Sequence, residues 1–331
     1  MRNSLIILLV VLICCVSCKK SQPDCNLHEE ITSIPITVSI ERLELAFFDD
    51  PSEEKILSLL NKYPEFSSTY LLENEFESRE VLAREISRLH NDPGMQELYH
   101  EVMIHFSAIS GLEKDLENAF KAISHYYPDF TPPKVYTYVS GFTTDISLTK
   151  DMLVIGLDFF LPADHRFQPV DLPTYIARRY DSLHLVPTIV TAISSAYNQT
   201  DLTDNTLLAE MVFYGKSYHF TKSILPCTPD EFIIGYTSGE IAASYANEQL
   251  IYSHFIENEL FFETNPFVIS KYTGESPFTD EISMDAPGRL GRWIGWNIVD
   301  DYQMNNSIPL QELMAESNAV EIFRQSGYKP R

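Results

Sequence analysis

Two periodicities divide this chain. From residue 39 most of it places apolar side chains three or four positions apart: Leu43, Ala46 and Phe47, then Ile56, Leu59 and Leu60 ahead of Pro64. The same spacing predicts helices over about 78–90 and 93–127. Beyond Pro162 it predicts further helices over 172–179, 184–197, 207–221, 229–262 in two pieces, 289–302 and 310–317. Between these blocks the period changes. Residues 134–139 (KVYTYV) and 152–160 (MLVIGLDFF) are β-branched or aromatic runs, and a third short run, Ile146-Ser147-Leu148, follows a turn that starts at Gly141. The pattern predicts an α+β fold that is predominantly helical, with a small antiparallel sheet packed by helices.

The N-terminus follows neither period. Met1-Arg2-Asn3 is polar, residues 5–13 are Leu, Ile and Val, and the run ends in Val16-Ser17-Cys18-Lys19-Lys20. An apolar stretch this short does not span a bilayer, and its position after a charged start marks a secretory signal. A small residue followed by cysteine resembles the lipobox of bacterial lipoproteins, which implies acylation of Cys18 as the mature N-terminus. The expected division is therefore a signal peptide over 1–17, a lipid-anchored tether over 18–38 and a single globular domain over 39–331. Two or three acyl chains hold a protein on a membrane stably, where one does not. Lys19 and Lys20, in place of an acidic run, favour a periplasm-facing anchor in the cell envelope.

Charge narrows the list of partners. With 24 basic against 47 acidic residues the formal charge is -23, which repels nucleic acid. Cys14 and Cys15 leave with the signal and Cys18 carries lipid, so Cys25 and Cys227 remain as candidates for one disulfide.

Familiar catalytic spacings are missing. His100 and His105 are five apart, a rotation of about 140° on a helix, so the pair cannot share one ion. His254 and Glu257 share a helix face without a second copy of the pair. The serine elbow G-x-S-x-G, the dinucleotide fingerprint and the P-loop are absent. One segment stands apart, DAPGRLGRWIGWNIV over 285–299. Asp285 and Pro287 predict a helix start, and Gly291 and Gly295 form a flat stripe that admits another backbone. Each helical glycine costs about 1 kcal/mol, which close packing or a ligand must offset. Both tryptophans, Trp293 and Trp296, lie here beside Arg289 and Arg292. The segment is either a buried helix whose arginines pair with internal carboxylates or a binding surface.

At these residues the chain resembles the gliding-motility lipoprotein GldB family of Bacteroidetes. The likeness runs through the lipobox, LLAEMVFYGKSYHF (207–220), EFIIGYTSGEIAASYANEQLIYSHFIENELFF (231–262), APGRLGRWIGWNIV (286–299) and EIFRQSGYKPR (321–331). It implies an envelope lipoprotein of the gliding and protein-secretion apparatus, with other gliding or envelope proteins as partners. Tyr214, Lys216, Arg289, Arg292, Trp293 and Trp296 are the candidate binding or structural centre. A more distant similarity, to zincin-like metallopeptidases, implies that HExxH would fall within 184–197. That stretch reads HLVPTIVTAISSAY, with neither a glutamate nor a second histidine. The expectation is a degenerate zincin-like, non-enzymatic protein that binds another protein, with no catalytic residues, no metal and no cofactor beyond the lipid on Cys18. The rival expectation is a zincin-like peptidase or cell-wall hydrolase whose irregular metal site is assembled from distant histidines.

Overall fold

The computed structural model describes residues 29–170 and 172–330. Cys18 and Cys25 lie outside the described residues. The chain runs α1 (Glu29–Thr32), β1 (Ile40–Arg42), α2 (Leu43–Asp49), α3 (Glu53–Lys62), α4 (Arg79–His90), α5 (Pro93–His105) and α6 (Ser110–Tyr126). Strands β2 (Lys134–Tyr138), β3 (Ile146–Leu148) and β4 (Met152–Gly156) follow. The C-terminal half holds α7 (Thr174–Ala177), α8 (Ser182–Ser194), α9 (Leu207–Ile224), α10 (Asp230–Ile234), α11 (Ser238–Ala246), α12 (Glu248–Glu257) and α13 (Pro266–Thr273). It closes with the hairpin β5 (Phe278–Thr279) and β6 (Ser283–Pro287), then α14 (Leu290–Asn306), α15 (Leu310–Ala315) and α16 (Ala319–Ser326). This is the helix-dominated α+β architecture that the two periodicities predict.

The main sheet is mixed, where a purely antiparallel one is expected from the sequence. Its order is β1-β2-β4-β3, and only β3 runs antiparallel to its neighbour. The reason is connectivity: α2–α6 form a long crossover between β1 and β2, which returns the chain in the same direction. Ile40 pairs with Val135 and Val135 with Leu153, so a three-residue strand inside a region of helical spacing becomes the sheet edge. Every residue of β4 is buried, as its unbroken apolar run requires. That run outlasts the strand. Leu157–Phe160 is a 3-10 turn because the buried Asp158 carboxylate accepts from Ser140 N (2.9 Å), Ser140 Oγ (3.0 Å) and Phe142 N (2.6 Å).

Three boundaries differ from the sequence reading. The stretch 93–127 breaks between α5 and α6. Ile31 and Val38 are buried, so part of the expected tether packs as body, with α1 resting on α6. Asp285 and Pro287 belong to β6, not to a helix start: Thr279 Oγ1 donates to Pro287 O (2.7 Å), and Arg289 takes a left-handed φ of 64° before α14 begins.

The core of the C-terminal half is the crossing of α9 and α14. A Cβ at Gly215 would lie 2.4 Å from Gly295 O, and one at Gly295 only 1.9 Å from Met211 O. The two backbones therefore touch, which is what the glycine stripe predicts, with a third glycine, Gly215, supplied by the facing helix. Gly291 lies against Tyr272 and Thr273 of α13.

Candidate functional site

The left-handed turn at Arg289 and the first turn of α14 aim two guanidinium groups at one carboxylate. Arg292 Nη1 lies 3.3 Å from Glu275 Oε1, and Arg289 Nε lies 3.7 Å from Oε2. Arg179, from the turn after α7, donates to the same Oε2 at 2.7 Å. Burial alone would raise the Glu275 carboxyl, but the hydrogen bond from Arg179 and the charges of all three arginines hold it below its ordinary value. Three cations share one anion, leaving a local positive excess inside an acidic protein.

Aromatic faces and backbone carbonyls take up part of that excess. The Arg292 guanidinium stacks 3.9 Å over the Tyr214 ring, and its Nε donates to Thr273 O. Arg289 lies over Tyr236 at 5.4 Å and donates to Gly235 O at 3.1 Å, while Tyr236 Oη donates to Gly288 O. Burial drives the Tyr236 phenol far above its usual range and raises that of Tyr214. Next door, Arg178 grips both oxygens of Glu240 at 2.8 and 2.6 Å, and Glu240 itself caps α11 through Thr237 N.

The sequence-derived centre splits into three places. Tyr214, Arg289 and Arg292 meet at Glu275. Trp296 packs against Tyr218 at 5.5 Å and Trp293 against Tyr245 at 5.2 Å; both indoles are interior, and neither ring N–H has a hydrogen-bond acceptor. Lys216 is 1% exposed and donates 2.7 Å bonds to Gln199 O and Glu316 O, tying the first half of the α8–α9 connection to the end of α15. Burial pushes its ammonium down to about 8, against a smaller opposing pull from Glu316. None of these side chains, Tyr214 apart, offers a partner more than a sliver of surface. Cys227 is disulfide-bonded; Cys25, its expected partner, lies outside the described residues.

Lys216 also lines a cleft of about 670 Å³ between the segment after α8 and helix α13, with Thr200, Leu202, Phe213 and Pro266 among its walls. Its walls mix acidic residues such as Asp201, Asp204 and Glu210 with apolar ones; Leu202 in the wall is 94% exposed, and Phe267, next in sequence to Pro266, is 81% exposed. Sequence reasoning missed this cleft, because its walls come from three segments that only the fold assembles. It missed Glu275 too, a single loop carboxylate with no motif around it.

Helix α8, where a zincin would carry its metal ligands, presents His184 alone, and that ring bonds its own capping residue Asp181 at 2.8 Å. Among the described residues the one group of three side chains with converging donor atoms, Glu101, His105 and His165, is drawn from α5 and a later loop. Glu101 and His105 are four apart on α5 and share a face, whereas His100 and His105 are five apart and do not.

Comparison with curated proteins and with solved structures gives no match to this chain. The family model described as the gliding motility protein GldB matches residues 24–330, almost its whole length, and on that evidence this protein belongs to the GldB family.

Proposed function

We propose that this protein is a lipid-anchored component of the gliding and associated secretion apparatus that works by holding another protein, not by catalysis. Family membership supports the association with gliding and the cell envelope. The lipobox at Cys18 supports a lipid anchor, and Lys19-Lys20 a periplasm-facing body on it. No helix of the described residues is long and apolar enough to cross a membrane.

The observation that carries the binding role is the contrast between the two sites. The arginine centre is closed by its own carboxylate and tyrosines, and helix α8 holds one histidine already bonded to its cap. The cleft beside Lys216, in contrast, is open, with the exposed Leu202 in its wall and the exposed Phe267 next in sequence to its wall residue Pro266. Apolar anchors around a concavity are what a protein partner buries at the centre of an interface. Leu202 and Phe267 are accordingly the docking residues, in place of the interior Arg289 and Trp293.

The test is cross-linking in the native host. A photoreactive residue at position 205, an exposed position in the cleft wall, should capture a defined protein, and adding the double substitution L202D/F267D should abolish the capture while the far-UV spectrum stays unchanged. Capture that survives L202D/F267D would refute the cleft as the docking site. For the anchor, C18S should move the protein from the detergent-rich to the aqueous phase; a variant that stays in the detergent phase would refute acylation at Cys18.

A further inference from the structure

We propose that Glu101, His105 and His165 form a binding site for a transition-metal ion of the zinc class, with one coordination position left to water. The three side chains offer one donor atom each, all within 4.8 Å of one another. Glu101 and His105 differ by about 40° around α5, so both project from the same face at the end of that helix. His165 reaches them from the loop after the 3-10 turn, in a bend closed by His165 N donating to Pro162 O at 2.8 Å and Gln168 Nε2 donating to the same oxygen at 2.9 Å.

The geometry is close to that of a bound state. Zinc holds nitrogen and oxygen donors at about 2.0–2.1 Å, which places two donors of a tetrahedron about 3.3 Å apart. Glu101 Oε2 and His165 Nε2 are 3.4 Å apart. The His105 ring stands edge-on to His165 with centroids 5.3 Å apart, and as an exposed side chain at the last position of α5 it can rotate inward. Two histidines and one glutamate are also the donor set of open zinc sites, which keep the fourth position for water.

The surroundings favour a cation. The last carbonyls of α5 put the negative end of the helix dipole beside His105. Arg166 holds Glu101 Oε1 at 2.8 Å and Glu97 at 2.6 Å, which leaves Glu101 Oε2 turned toward the histidines. An outer partner of this kind fixes the orientation of a metal-binding carboxylate. Phe167 N donates to His165 Nδ1 at 3.2 Å, so without metal the proton sits on Nε2 and is donated to Glu101. A metal at Nε2 displaces that proton to Nδ1, and the Phe167 amide loses its acceptor. Binding therefore locks the 162–167 loop onto α5 in a slightly altered form. The ion staples two segments together and does so whichever protein the cleft near Lys216 holds.

The test uses the full-length protein extracted in detergent, freed of metal with chelator and carrying no histidine tag. Co²⁺ added to it should give a visible d–d absorption that saturates at one equivalent, and Zn²⁺ should displace it. H105A and E101Q should each weaken Zn²⁺ binding by at least about tenfold. H100A, which removes an exposed histidine of the same helix outside the trio, should bind as the wild type does. Absence of saturable binding to the wild type, or wild-type affinity in H105A, would overturn the site. His105 is exposed, so H105A tests the ligand without disturbing the core.

Discussion

The sharpest prediction concerns Gly295→Ala. The added Cβ would stand 1.9 Å from Met211 O and 2.4 Å from Met211 C, against an ordinary contact beginning at 3.4 Å. Both neighbours are backbone atoms of α9, so no side chain can rotate away, and the helices must part by about 1.5 Å. A gap of half to one ångström already forfeits a quarter to a half of the dispersion energy across it. Trp296 packs on Tyr218 of α9 across this crossing, and overpacking in such a core costs about 3 kcal/mol at the upper end of its usual range. Alanine returns about 1 kcal/mol of helix propensity. The net expectation is a loss of about 2 kcal/mol. Urea unfolding followed by tryptophan fluorescence reads it directly, because both indoles of the chain sit on α14. The control is Gly111→Ala in α6, where nothing lies within 4 Å of the added Cβ and stability should hold or rise by about 0.4–1 kcal/mol. Stability of Gly295→Ala equal to the wild type would refute backbone contact as the basis of the crossing.

Glu275→Gln should destabilise by about 1–3 kcal/mol, a figure held down because the carboxylate is 38% exposed. Since the folded-state carboxyl is depressed below 4.5, its contribution is complete above that pH and is lost as pH falls through the folded value; the acid limb of the unfolding profile should be shallower in E275Q. His90, buried against Phe47 O and Tyr138 Oη, is pushed by burial down to about 4 from 6.5. The unfolded chain takes up that proton first, so stability should fall as pH drops from 6.5 toward 4, and H90Q should lack this part of the decline in urea titrations at stepped pH. Lys216→Met leaves two buried carbonyls without their donor and should cost about 1–3 kcal/mol. As the folded-state pKa of about 8 lies below 10.5, wild-type stability should gain on K216M between those pH values; an unchanged difference across that window would refute burial as the cause.

Much of this architecture is legible in the sequence where one signal dominates. The glycines of α14 announce a close approach, of a backbone or a ligand, because their cost in a helix needs an offset, and β4 announces itself by an unbroken apolar run. The sheet edge β1 is hidden, since three residues leading straight into α2 share its helical spacing. Lys216 is legible as a member of a binding or structural centre, but not as an interior cation, because a long cationic chain is rarely buried and its two carbonyl partners come from segments 17 and 100 residues away. Arg289 and Arg292 are legible as a pair needing carboxylates, but Glu275 is not, because a single acidic residue among 47 carries no pattern. The same limit hides His165, which joins α5 only through a bend in a proline-containing loop.

The touching backbones of α9 and α14 also set the order in which a growing chain can become this protein. Residues 207–224 are made well before 290–306, and until the later helix arrives the glycine face of the earlier one has no surface to close against. The strand at 40–42 likewise waits for 134–138. A chain made N-terminus first therefore emerges with its two principal seams open, and the C-terminal one shuts only near the end of synthesis. Such late, long-range closure slows folding and lengthens the interval in which apolar faces stand uncovered.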